Sequence, residues 1–163
     1  GGLLVLITLL FLRTSEEDRI LEQLEQIRTL AEVNAPESGI EQIAKAKQIG
    51  RMLDEQTFYD LTNAGYGMTE IENRQDLVQR IIRGRTRLSS LELTLQQPQV
   101  RIEGDNAQVQ VQASALGSIR GEQGQFLEIH LIEVRLRREE GAWLVTGARQ
   151  LLDERKQSQT LRD

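Results

Sequence analysis

The chain has 163 residues, of which 39% are hydrophobic and 28% charged, and it carries a formal net charge of −5. That balance suits one folded domain with an appendage rather than a disordered chain, and the acidic total gives no general attraction to nucleic acid. Cysteine is absent and histidine occurs once, which removes thiolate nucleophiles, disulfides and Cys-type zinc sites and argues against a transition-metal site within one chain; with no glycine-rich phosphate loop either, no cofactor is expected.

Residues 3–12 read LLVLITLLFL, an apolar run broken only by Thr8. A helix of that length covers roughly 18 Å, against about 30 Å of hydrocarbon in a bilayer. A core helix would carry more polar positions, and a cleaved secretion signal would leave no such run behind. The reading carried forward is the C-terminal part of a transmembrane signal anchor over residues 1–13. It places Leu3, Leu4, Leu6, Ile7, Leu9, Leu10, Phe11 and Leu12 against lipid. That implies a single-pass protein of a bacterial inner membrane with its soluble domain in the periplasm. A buried core helix is the alternative.

Thr14 and Glu17 have the spacing of a capping box, so a new helix is expected to start there. Ile20, Leu24, Ile27 and Ala31 then form a helical stripe over about residues 15–33. Residues 14–37 read as an amphipathic linker helix. Its stripe either packs on the domain's own sheet or pairs two copies as a short coiled stalk. The domain is expected over residues 38–152. Ser38 caps a second helix with Ile40, Ile43, Ala44, Ile49 and Leu53 on its inner face. A turn-rich stretch, Asn63-Ala64-Gly65-Tyr66-Gly67, precedes a third helix that runs from Glu70 or Asn73 to Arg85.

Beyond Leu88 the hydrophobic period changes to two. Leu91, Leu93 and Leu95, then Val100 and Ile102, lead to a hairpin turn at Gly104-Asp105-Asn106. Ala107, Val109, Val111 and Ala113 return from it. Phe126 to Arg138 is a long strand, Glu139-Glu140-Gly141 a turn, and Ala142 to Leu151 a further strand. Residues 153–163 are a charged flexible tail. Helices followed by long antiparallel strands predict an α+β domain, with helices covering one face of a curved sheet.

Two segments carry a family resemblance. Residues 100–109, VRIEGDNAQV, are similar to the "V-x-V-x-G-D-x-A-x-V" hairpin of the nuclear transport factor 2-like superfamily. Residues 134–145, VRLRREEGAWLV, resemble the same superfamily's last hairpin, where a charged turn and Gly precede a Trp. The resemblance covers roughly residues 38–151 and implies the cystatin-like cone. That superfamily includes isomerases, dehydratases, transport adaptors and membrane-anchored assembly subunits. The last group, a membrane-anchored bacterial type, matches this chain's layout best.

Strand parity defines the candidate site. If Val134 and Leu136 are buried, then Ile132, His130, Glu128 and Phe126 share the concave face, with Glu128 and His130 about 7 Å apart at the backbone. A carboxylate beside an imidazole suits proton transfer. A bulge near Ile132-Glu133 would reverse this and turn Leu127, Ile129 and Leu131 inward. Without the bulge, those three form an outer sheet face that seeks a partner, plainly a second copy. Tyr59, Asp60 and Tyr66 are candidates for the mouth of the cone. Arg74, Arg80, Arg83, Arg85 and Arg87 concentrate positive charge along the third helix. They form either a solvated face paired with acids or a docking patch for anionic headgroups or an acidic partner.

Two functions follow. The first is a non-enzymatic, membrane-anchored accessory or assembly subunit that contacts the lipid bilayer and binds protein partners. The alternative is a small-molecule-binding protein, or an isomerase- or dehydratase-type enzyme, with Glu128 and His130 as a cofactor-free pair in the cone cavity.

Overall fold

The computed structural model describes residues 2–34, 36–60, 70–71 and 73–151, with residues 10–14, 70 and 71 described by their backbone alone. Among the described residues, three helices, α1 (Gly2–Ala31), α2 (Gly39–Arg51) and α3 (Arg74–Thr86), accompany six strands. The strands are β1 (Leu53–Asp60), β2 (Glu70–Ile71), β3 (Leu88–Glu103), β4 (Asn106–Ile119), β5 (Phe126–Glu139) and β6 (Ala142–Leu151). They form one sheet in the order β2-β1-β6-β5-β4-β3. Its long members are antiparallel, and β1 joins the far side of β6 in parallel. The Asn63–Gly67 stretch and the tail from residue 153 lie outside the described residues.

The helix expected to start at Thr14 is the continuation of α1, which runs unbroken through that position. No Pro or Gly lies between Leu3 and Ala31, so nothing interrupts helix formers on either side of the would-be cap. Its second half packs on the domain itself, the first of the two readings of its stripe. Ile20 and Leu24 are buried in the main core, and Ile27, Leu30 and Ala31 pack against it. The domain therefore begins inside α1 rather than at residue 38. Among the described residues no helix is long and apolar enough to cross a membrane. The apolar run expected as the end of a membrane anchor forms the exposed first turns of α1, continuous with the part that enters the core.

The inward face of α2 keeps Ile49 of the expected set, with Leu53 buried just beyond the helix, but leaves Ile40, Ile43 and Ala44 outside. Gln42, Ala46, Ile49 and Gly50 are buried, whereas Ile40 is 82% exposed and Ile43 is also exposed. Close approach to α3 sets this face, since a Cβ on Gly50 would stand 2.9 Å from the Val78 side chain. Ser38 does cap the helix, and Glu41 completes the capping box.

β3 is longer than its apolar pattern suggests. It passes through a register shift between Gln96 and Gln99, with Gln97 at φ 52°. Pro98 is tolerated because β3 is an edge strand. The inner end of α1 guards part of that edge. Glu32 accepts the Leu93 amide at 3.0 Å, Arg28 donates to the Leu93 carbonyl at 3.0 Å, and Val33 bridges to Leu91. Groups left open on an edge would template pairing with another chain.

The core sits between α1, α2 and the concave side of β4–β6, toward the hairpin end. Val109, Val111, Leu136, Trp143 and Val145 are buried there with Ile20 and Ile49. Burial relaxes toward the other end of the same strands. Ala113 and Ala115 on β4, and Ile132, His130 and Glu128 on β5, are only half-buried. The cone is thus filled at one end and looser at the other.

Candidate functional site

β4 and β5 pair in one unbroken register, from Asn106 opposite Arg137 to Gly117 opposite Phe126. Alternation is therefore preserved from buried Leu136 back to Glu128, and Glu128 and His130 share the concave face. They stand opposite Ala115 and Ala113, two small side chains on the same face. Leu93 and Leu95 lie beyond, opposite those same alanines on β3.

The irregularity in this region is on β6 rather than near Ile132-Glu133. Leu136 pairs with Val145 and Arg135 with Gly147, so Thr146 is the extra residue. Gly147 follows it, and a Cβ there would overlap the Phe58 carbonyl of β1. The bulge switches the parity of β6. Trp143 and Val145 face the core before it, and Ala148 and Gln150 take that face after it.

Gln150 thereby reaches His130. Its Nε2 lies 2.7 Å from His130 Nδ1, and Glu128 Oε2 lies 3.4 Å from His130 Nε2. The His130 side chain is 25% exposed. With the Gln150 amide donating to Nδ1, the neutral ring carries its proton on Nε2, aimed at the Glu128 carboxylate. Nδ1 is then the basic nitrogen, and a reactant reaches it by taking the place of the amide. The Glu128 contact is long, as catalytic hydrogen bonds commonly are before a reactant binds.

The other residues singled out from sequence are dispersed. Tyr59 is buried in the core, where burial pushes its phenol above the usual value and the nearby Thr57 hydroxyl pulls weakly the other way. Asp60 pairs across to Arg149, on the opposite side of β1 from Tyr59. Tyr66 lies outside the described residues. Leu127 (63% exposed) and Ile129 are on the convex face, with Leu116 opposite Leu127 and Leu131 half-buried beside them. The same face holds a buried carboxylate, Glu133, which Arg149 meets with two hydrogen bonds and Arg135 with one.

The arginines do not form the single patch expected. Arg74 pairs with Glu55 and Arg80 with Asp76. Arg83 and Arg87 are exposed, while Arg85 is 3% exposed and turned into the fold. There it donates to the Leu30, Ala31 and Glu32 carbonyls and pairs with Glu37. The carbonyls that end α1 have no partners within their own helix, and their convergence above α3 draws Arg85 inward.

The helices over a curved sheet have the fold of a nuclear transport factor 2-like, cystatin-like cone. No protein-family model matches the sequence, and no curated protein does. Solved structures match the fold at low identity. A nuclear transport factor 2-like protein with a cystatin-like fold from Novosphingobium aromaticivorans superposes with a TM-score of 0.68 at 16% identity, covering 96% of this chain and 95% of that one. A protein described as a candidate scytalone dehydratase from the same organism gives 0.70 at 8% identity over 86% and 87%. The type 3 hexachlorocyclohexane dehydrochlorinase LinA from Novosphingobium barchaimii gives 0.65 at 10% identity over 86% and 88%.

These comparisons correct one expectation. The layout suggested a protein without enzymatic activity, but the folds that this chain matches carry the names of a dehydratase and dehydrochlorinases. The chain's layout resembled that of assembly subunits only because an apolar run precedes a cone, and that run is part of α1.

Proposed function

We propose that the chain is a cofactor-independent proton-transfer enzyme of the elimination type, acting on a small, mostly apolar molecule held on the concave face. The observation that carries this reading is the His130 imidazole, half-buried between Glu128 and Gln150 above Ala113 and Ala115. The names of the dehydratase and dehydrochlorinase neighbours support elimination within the broader class of proton transfers.

The proposed step is balanced. His130 Nδ1 takes a proton from carbon, the C–H electron pair forms the new double bond, and the leaving group departs with the electrons of its own bond. Glu128 accepts the Nε2–H bond and stabilises the imidazolium as it forms, the role a carboxylate plays behind any catalytic histidine. Leu93 and Leu95 supply apolar surface to the reactant.

Because histidine occurs once, its ring resonances report on this site alone. Titration with 4-nitrophenol, a small planar acid, should shift the His130 ring signals in a saturable way, and Glu128→Gln should alter both the signals and the apparent Kd. Ring signals that ignore every concentration of the probe would count against a binding face at His130.

A further inference from the structure

We infer that the first turns of α1 insert into the hydrocarbon of a lipid bilayer and hold the cone with its looser end facing away from the membrane. The proposal is independent of the enzymatic reading. Leu3, Leu4, Val5, Leu6, Ile7 and Leu9 are all between 54% and 73% exposed. Positions 3 to 7 are consecutive, so they point in every direction around the helix. A groove or a second helix covers one stripe and leaves the remaining faces in water. Lipid is the occupant that covers all of them.

The one polar side chain in this stretch is already satisfied. Thr8 Oγ1 donates to the Leu4 carbonyl at 2.8 Å, so the hydroxyl asks nothing of its surroundings, as hydrocarbon requires.

Polar chemistry resumes where α1 meets the domain. Glu16 accepts the Trp143 indole N–H at 2.8 Å and pairs with Arg138 at 3.4 Å, and Arg138 also holds Asp105 at 2.8 Å. The β3–β4 and β5–β6 turns therefore form a charged collar around the exit of the apolar segment. Glu128 lies ten residues back along β5 from Arg138, about 33 Å of strand. The collar end faces lipid and the Glu128–His130 end faces water.

Flotation of the full chain with phosphatidylcholine vesicles, at low and high salt, tests this. The chain should float with neutral vesicles at either salt concentration. The double variant Leu6→Glu, Ile7→Asp should lose vesicle partitioning by about a hundredfold. Its thermal unfolding should be unchanged, because these positions stand clear of the domain. Three results would overturn the proposal. The chain could remain in the aqueous fraction, whether monomeric or self-associated through this segment. It could float only with anionic phosphatidylglycerol and detach in salt. The double variant could float as well as the parent.

Discussion

His130→Gln should lower kcat/KM for base-catalysed ring opening of 5-nitrobenzisoxazole by about 100-fold or more. This reagent reports any positioned base next to apolar surface. Removal of its ring C–H proton breaks the N–O bond and releases a coloured cyanophenolate, with no other group required. Gln keeps the approximate volume and hydrogen-bonding capacity of the ring but accepts no proton. Glu128→Gln should cost roughly tenfold, because the base survives and only the support for its charged form is lost. Both side chains are partly exposed, so each variant should keep its stability within about 0.5 kcal/mol. A pH profile separates base loss from a structural effect. The rise of rate with pH expected of a base-catalysed parent should vanish in His130→Gln. Equal rates for the parent and His130→Gln would remove the imidazole from the chemistry.

Arg85→Met should destabilise the fold by about 3–5 kcal/mol. The guanidinium is 3% exposed and satisfies the last carbonyls of α1 together with the Glu37 carboxylate. Methionine fills much of the volume but leaves the α1 carbonyls without that donor in a dry site and Glu37 with Lys45 alone, and buried polar groups stripped of a partner are costly. For a chain of this size that loss corresponds to a fall in Tm of roughly 10 °C. The effect should also depend on pH. Burial pushes the Glu37 carboxyl up, but hydrogen bonds from Lys45 and Arg85 outweigh it and hold the group below its usual range. A carboxyl lowered in the folded state contributes its stability above the unfolded value, near 4.3, and loses it as pH falls through the lower folded value. The parent should therefore weaken between about pH 5 and pH 3, and Arg85→Met should show a shallower acid slope. Urea titrations at pH 7 and pH 3.5 measure both quantities. A loss under about 1 kcal/mol at neutral pH would mean that water replaces the guanidinium at these carbonyls.

Much of the sheet is legible in the sequence because its two faces differ. Where one side meets helices and the other meets water, apolar residues recur every second position, as from Val134 through Leu136 and from Val109 to Val111. β1 escapes that reading because Asp54, Glu55 and Gln56 hide any alternation in its first half. The inward face of α2 is partly misread, for a tertiary reason: close packing at Gly50 decides the face, although the exposed Ile40 and Ile43 look the more hydrophobic.

The site divides in the same way. Glu128 and His130 follow from unbroken alternation along one strand, so parity alone places them on the concave face. Gln150 does not follow, because the bulge at Thr146 reverses the parity of β6. Gly147 was the available signal, since glycine inside a strand often marks a bulge or a close backbone approach. Arg85 shows the complementary limit. In sequence it is one of five arginines on and just after the third helix, and only the path of α1 reveals the carbonyls that draw it inside.

The most direct test is a crystal structure of the chain with the cyanophenolate product of 5-nitrobenzisoxazole bound. The account predicts the ring stacked over Ala113 and Ala115, with its phenolate oxygen within hydrogen-bond distance of His130 and the Gln150 amide displaced from Nδ1. A product seated on the convex face or between α1 and α2, with the Gln150–His130 contact intact, would contradict it.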